Sequence, residues 1–134
     1  MRSLPTKLHA YLDYLIALLS ILSPLILGFG EGSYETLVPI ILGMLMILYS
    51  FMTDYELGLS RQIPLYVHLR MDQFTAALLA TSPWVFGFHE TVFVPHVLLG
   101  LSLFFVSIFT GDEVISLIHA IRVKWLRFTS SAGQ

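Results

Sequence analysis

Charge is missing from this sequence in four long runs, Tyr14 to Gly30, Thr36 to Thr53, Gln73 to His89 and Thr91 to Gly111. Each is close to the roughly 20 residues that cross the hydrocarbon of a bilayer as a helix. The 134 residues are 56% hydrophobic and 12% charged, about half the charged share of a soluble domain of this size. A water-facing surface cannot be furnished from that stock. The runs therefore predict an all-α fold, a bundle of four transmembrane helices in a single membrane domain spanning residues 1–134. The first run has neither a cleavage site nor a polar mature domain behind it, so it reads as a span and not as a signal peptide.

Orientation follows from where the cations are. All seven (Arg2, Lys7, Arg61, Arg70, Arg122, Lys124 and Arg127) fall in the N-terminus, the middle connection or the C-terminal tail. The two short connections, residues 31–35 and 89–90, carry acids and no Lys or Arg. Basic loops stay in the cytoplasm, so both termini are expected there. The chain has no cysteine, which excludes disulfides, thiolate ligands and thiol redox chemistry. No basic patch exists outside the tail, so nucleic acid finds no support as a partner. The lipid bilayer is the partner that the composition implies.

The sequence is also duplicated. His9, Asp13, Ser23, Pro24 and Gly28 recur 59 residues later as His68, Asp72, Ser82, Pro83 and Gly87, and Pro5 recurs as Pro64. Gly43, Ser50, Thr53 and Glu56 recur 57 residues later as Gly100, Ser107, Thr110 and Glu113. This predicts two tandem helical hairpins, residues 4–58 and 63–113. An even number of spans in each gives both the same orientation, hence a pseudo-two-fold axis along the membrane normal. Pro5 and Pro64 suit the first turn of a helix, where a missing N–H costs nothing. Ser-Pro at 23–24 and 82–83 falls in the last turns of its helix, and Gly28 and Gly87 suit the left-handed residue that closes it. Trp84 is expected at the far interface. From 112 to 128, apolar residues at helical spacing alternate with Arg122, Lys124 and Arg127, which predicts an amphipathic helix on the cytoplasmic surface.

The polar residues collect at one depth. At 1.5 Å per residue, His9 lies about 6 Å and Asp13 about 12 Å along the first helix from Pro5, on one face. His68 and Asp72 repeat this, and the returning helices bring Ser50, Thr53, Ser107 and Thr110 to the same level. Gly43 and Gly100 let helix backbones approach closely. Asp54, Glu56, Asp112 and Glu113 ring the exit. Two readings of the cluster stay open. In one, each Asp is hydrogen-bonded to Ser or Thr of a partner helix and capped by its own His, fastening the repeats. In the other, His9, Asp13, His68 and Asp72 hold a divalent metal or relay protons, serving transport or a metal-dependent hydrolase. Haem between His9 and His68 is disfavoured by the aspartates beside them. His96 reads as a hydrogen-bonded interfacial residue and His89 as solvated. No Ser-His-Asp set, phosphate loop, HExxH or CxxC occurs, so no enzyme signature is present. Small residues Ala76, Ala77 and Ala80 suggest packing against a second copy or another membrane protein.

A two-helix unit carrying Ser-Pro-Trp at 82–84, with Ser-Pro-Leu at the matching positions 23–25, resembles the SPW repeat family of small bacterial integral membrane proteins. The likeness implies a multi-pass protein of the bacterial inner membrane and attaches no activity or cofactor to it. The orientation is open to a direct check. Reporter fusions should place residue 33 outside the cytoplasm and the C-terminus inside it. An external C-terminus would overturn the reading.

Overall fold

A computed structural model of the chain describes residues 4–110. Those residues form four helices and no named strand: α1 (Thr6–Leu27), α2 (Tyr34–Met52), α3 (Leu65–Val85) and α4 (Val94–Phe109). The amphipathic helix expected over 112–128 lies outside the described residues, as do Asp112 and Glu113. α1 pairs most extensively with α2 and α3 with α4, giving two hairpins that meet along α1–α4 and α2–α3.

The molecule is polar within and apolar without. Its centre holds Ile16, Ala17, Met46, Tyr49, Ala76 and Leu103, but also His9, Asp13, His68, Asp72, Ser20 and Thr53, all buried. The outer faces carry exposed Leu15, Leu18, Leu25, Ile41, Met44, Phe74 and Phe105, the arrangement expected of a protein whose solvent is lipid. α1 and α2 are long and apolar enough to cross a membrane. α4 has 16 residues, about 24 Å of helix, and α3 carries His68, Arg70, Asp72 and Gln73 in its first half.

Pro5 and Pro64 stand at the N-caps of α1 and α3, one position ahead of the first turn, in extended conformation. Their carbonyls accept the N–H groups of His9 and His68 at 3.0 and 3.1 Å. The residue before each proline reaches across to the end of another helix. Leu4 N–H donates to Phe109 O at 2.6 Å, and Ile63 N–H donates to Met52 O at 2.8 Å. These two contacts involve positions 59 and 57 residues apart in the chain, so the same end of the bundle is laced twice in the same way.

Three prolines sit inside helices, and each frees the carbonyl four residues earlier. Ser23 Oγ donates to Ser20 O at 2.9 Å, the carbonyl that Pro24 cannot serve. Ser82 Oγ donates to Leu79 O at 2.8 Å, which does the same for Pro83. The serine of the Ser-Pro pair thus replaces the N–H that its proline lacks. Pro39 frees Glu35 O, and that oxygen is taken from the opposite hairpin by His96 Nε2 at 3.1 Å. Gly28 closes α1 at φ 69°, and Gly87, at φ 74°, follows the C-cap Phe86 of α3.

Gly43 and Gly100 set the closeness of each hairpin. A Cβ at Gly43 would meet Ala17 O at 2.7 Å, and one at Gly100 would meet Ala76 O at 2.7 Å and Ala80 Cβ at 2.8 Å. Ala76 and Ala80 are therefore occupied within the chain, and only Ala77 of the three small residues faces outward.

The serine–proline pairing has a measurable signature. Ser82→Ala should destabilise the protein by about 1–3 kcal/mol, the cost of a buried unpaired carbonyl. On a Pro83→Ala background, where the backbone N–H returns, the same substitution should cost almost nothing. Equal costs on both backgrounds in unfolding from detergent micelles would refute the pairing.

Candidate functional site

The i, i+4 spacing in α1 and in α3 turns His9 with Asp13, and His68 with Asp72, toward the bundle centre. The close hairpins bring both pairs to one point. All four side chains are fully buried, and one ligand atom from each lies within 4.8 Å of every other. His68 Nε2 is 2.8 Å from Asp13 Oδ2 and 3.1 Å from Asp72 Oδ2. His9 Nε2 is 3.0 Å from Asp13 Oδ2 and 3.3 Å from Asp72 Oδ2. The two Nε2 atoms are 3.2 Å apart.

The outer nitrogens are held by threonine. Thr53 Oγ1 lies 2.8 Å from His68 Nδ1 and 2.7 Å from Tyr49 O. Thr110 Oγ1 lies 2.8 Å from His9 Nδ1 and 2.6 Å from Val106 O. A hydroxyl has one proton to donate, and a carbonyl can only accept. Each threonine therefore gives its proton to the carbonyl and accepts the Nδ1–H of the histidine. That hydrogen-bond pattern assigns the tautomer: the Nδ1 proton points outward and Nε2 faces the centre.

These bonds correct one expectation. The hydroxyls were expected on the aspartates, and instead both threonines bond histidines of the opposite hairpin. The reason is that the connections place the C-terminal ends of α2 and α4 beside the first turns of α3 and α1. Ser50 and Ser107 make no such contact: Ser107 Oγ donates to Phe104 O at 2.9 Å, and Ser50 Oγ is buried without a partner. The expected capping of each Asp by its own His is present in distance and is shared with the other His.

Two tyrosines complete the site. Tyr49 OH donates to Asp72 Oδ1 at 2.8 Å. The Tyr55 ring lies 5.3 Å from that of His68 and 6.5 Å from that of His9, roofing the cluster. Burial pushes the Tyr55 phenol above its ordinary range. Asp13 Oδ1 and Asp72 Oδ2 make no hydrogen bond; Asp72 Oδ2 is near both Nε2 atoms but not aligned with either. The site can thus hold positive charge, as protons or as a cation, at its centre.

The remaining sequence candidates lie elsewhere. On the rim, Glu56 Oε1 accepts a bond from Thr6 Oγ1 at 2.7 Å, which holds its carboxyl below the ordinary value. Asp54 is 3.9 Å from Arg61. Ser23, Pro24, Ser82, Pro83 and Gly87 lie at the opposite end, with Trp84 exposed and stacked on His89 at 6.3 Å. His96 is there too, buried between Phe29 and Phe88. Sequence reasoning missed Tyr49 and Tyr55. The available signal was the position of Tyr49 one helical turn before Thr53.

Tyr49→Phe should leave Asp72 Oδ1 unpaired in a dry site, costing about 1–3 kcal/mol. Chemical unfolding in micelles measures it, and stability within 0.3 kcal/mol of the wild type (about the error of such comparisons) would remove Tyr49 from the site.

The comparisons with known proteins agree with this architecture at one level. No curated protein and no solved structure matches the chain. The SPW repeat domain matches residues 7–110, which takes in α2, α3, α4, all of α1 but Thr6, and every residue of the buried cluster. The chain belongs to the SPW repeat family of membrane proteins.

Proposed function

We propose that this chain is a multi-pass membrane module, structural or partner-binding, in which the buried His–Asp cluster fastens two repeated hairpins to each other. Its four helices all cross the bilayer, with the cluster near the cytoplasmic face, where the segregated basic residues also lie. The hairpins are related by a pseudo-two-fold axis along the membrane normal. One observation carries the reading. Thr53 of the first hairpin holds His68 of the second, while Thr110 of the second holds His9 of the first. Leu4 with Phe109 and Ile63 with Met52 make the same exchange in the backbone. Fastening of this kind suits lipid, where apolar faces gain nothing by leaving an apolar solvent and polar contacts contribute more to assembly.

A double-mutant cycle tests it. Thr53→Val and Thr110→Val should each cost about 1–3 kcal/mol, because each leaves an imidazole N–H buried and unpaired. Together they should couple by about 0.5–3 kcal/mol, since both bonds feed one network. Strict additivity in detergent unfolding would sink the idea of a single clasp.

A further inference from the structure

We propose that His9, Asp13, His68 and Asp72 bind one four-coordinate divalent cation, zinc by the chemistry of the donors, at the centre of the clasp. This rests on the reading of the cluster as the point where the hairpins join. Both histidines spend their Nδ1 protons on threonine, so neutral imidazoles present only lone pairs inward. Two carboxylates face them. Four such atoms lie within 4.8 Å of one another, and they repel strongly where solvent is absent unless positive charge joins them.

Two protons are one way to supply the missing charge, and the geometry does not favour them. Two Nε2–H groups 3.2 Å apart would point their hydrogens into the same space. A proton on His68 Nε2 would serve Asp13 Oδ2 at 2.8 Å, but Asp72 Oδ2, which should accept the second, makes no hydrogen bond despite being fully buried. A single dication cancels both carboxylate charges and uses all four atoms at once. For zinc bonds of about 2.0–2.1 Å, the edges of the ligand tetrahedron are about 3.3 Å. Five of the six distances here run from 2.8 to 3.3 Å, and the sixth, between the two carboxylates, is within 4.8 Å, so binding would draw the two aspartates toward each other.

The surroundings have the form of a metal's outer shell. Ligating histidines donate their other N–H to a fixed acceptor, and ligating carboxylates are hydrogen-bonded on the free oxygen. Thr53 and Thr110 fill the first role for both histidines, and Tyr49 fills the second for Asp72, while Asp13 Oδ1 has no such partner. Mixed nitrogen and oxygen donors at four-coordination suit zinc, whereas calcium and magnesium take six or more oxygens. The cluster is separated from the rim by one side chain, Tyr55. A cavity of about 290 Å³ lined by Thr6, Asp54, Tyr55, Glu56 and Arg61 opens at the rim, and Tyr55 forms its boundary with the histidines. Asp54 and Glu56 give that mouth two carboxylates against the one guanidinium of Arg61.

The test uses the full chain purified in detergent, loaded with zinc and freed of excess by gel filtration. Elemental analysis should find about one zinc per chain, lost in Asp13→Asn/Asp72→Asn. Cobalt(II) in its place should give the visible absorption of a tetrahedral ion. Chelator competition should show Tyr49→Phe weakening zinc roughly 10–100-fold, the usual effect of losing an outer-shell partner. Metal that persists in the doubly substituted variant would overturn the assignment. So would a folded wild-type chain that takes up neither zinc nor cobalt, and coupling between Thr53 and Thr110 would then leave the clasp standing without the ion. Stoichiometric zinc with additive threonine effects would leave the metal site and remove the clasp.

Discussion

A carboxylate buried among apolar helices is stable only if hydrogen-bond donors or positive charge reach it without water. Everything at the N-terminal end of this bundle answers that requirement for Asp13 and Asp72. The i, i+4 histidines supply the nearest nitrogens, but a histidine serves only when its own orientation is fixed. Thr53 and Thr110 fix it, and they can do so because their own protons are committed to the carbonyls one turn back. Those threonines are at the correct depth because Gly43 and Gly100 bring each hairpin to contact distance with Ala17 and Ala76. A chain of steric and hydrogen-bonding conditions thus runs from two glycines to four converging ligand atoms.

The opposite end solves a different problem with the same economy. Proline shapes the ends of membrane helices but leaves a carbonyl without its N–H, and lipid offers no water to serve it. Two of the three freed carbonyls are capped by the serine immediately before the proline. The third, Glu35 O, is capped by His96 from the other hairpin. The Ser-Pro pair that marks the family is therefore a self-contained backbone repair. Trp84 takes no part in it, which agrees with leucine standing at position 25.

Much of this was legible from residues alone. The duplication exposed His9, Asp13, His68 and Asp72 as a set, and their helical spacing put each pair on one face. The paired glycines pointed to close hairpins, and Gly28 and Gly87 to left-handed turns. What stayed hidden were contacts that break the duplication. At an offset of 57, Tyr49 and Tyr55 correspond to Val106 and Asp112, so a search for repeated residues passes over both. His96 has no counterpart for the same reason. The choice of threonine for histidine and not for aspartate was also out of reach. It depends on which helix ends lie side by side, and spacing along one helix carries no information about that.

The reciprocal bonding has a consequence for what a half of this chain amounts to. When residue i of one unit holds residue j of the other, and j holds i in return, the surface involved is isologous: it is complementary to a rotated copy of itself. A hairpin carrying one histidine, one aspartate and one threonine at these positions has every part needed to pair with its own duplicate. Placing two such hairpins on one polypeptide fixes their stoichiometry and frees each to diverge. Tyr49 facing Asp72, with no such phenol toward Asp13 among the described contacts, departs from that reciprocal pattern. It gives one carboxylate an anchored oxygen and leaves the other's unanchored, an asymmetry that two identical hairpins related by an exact two-fold axis would not have.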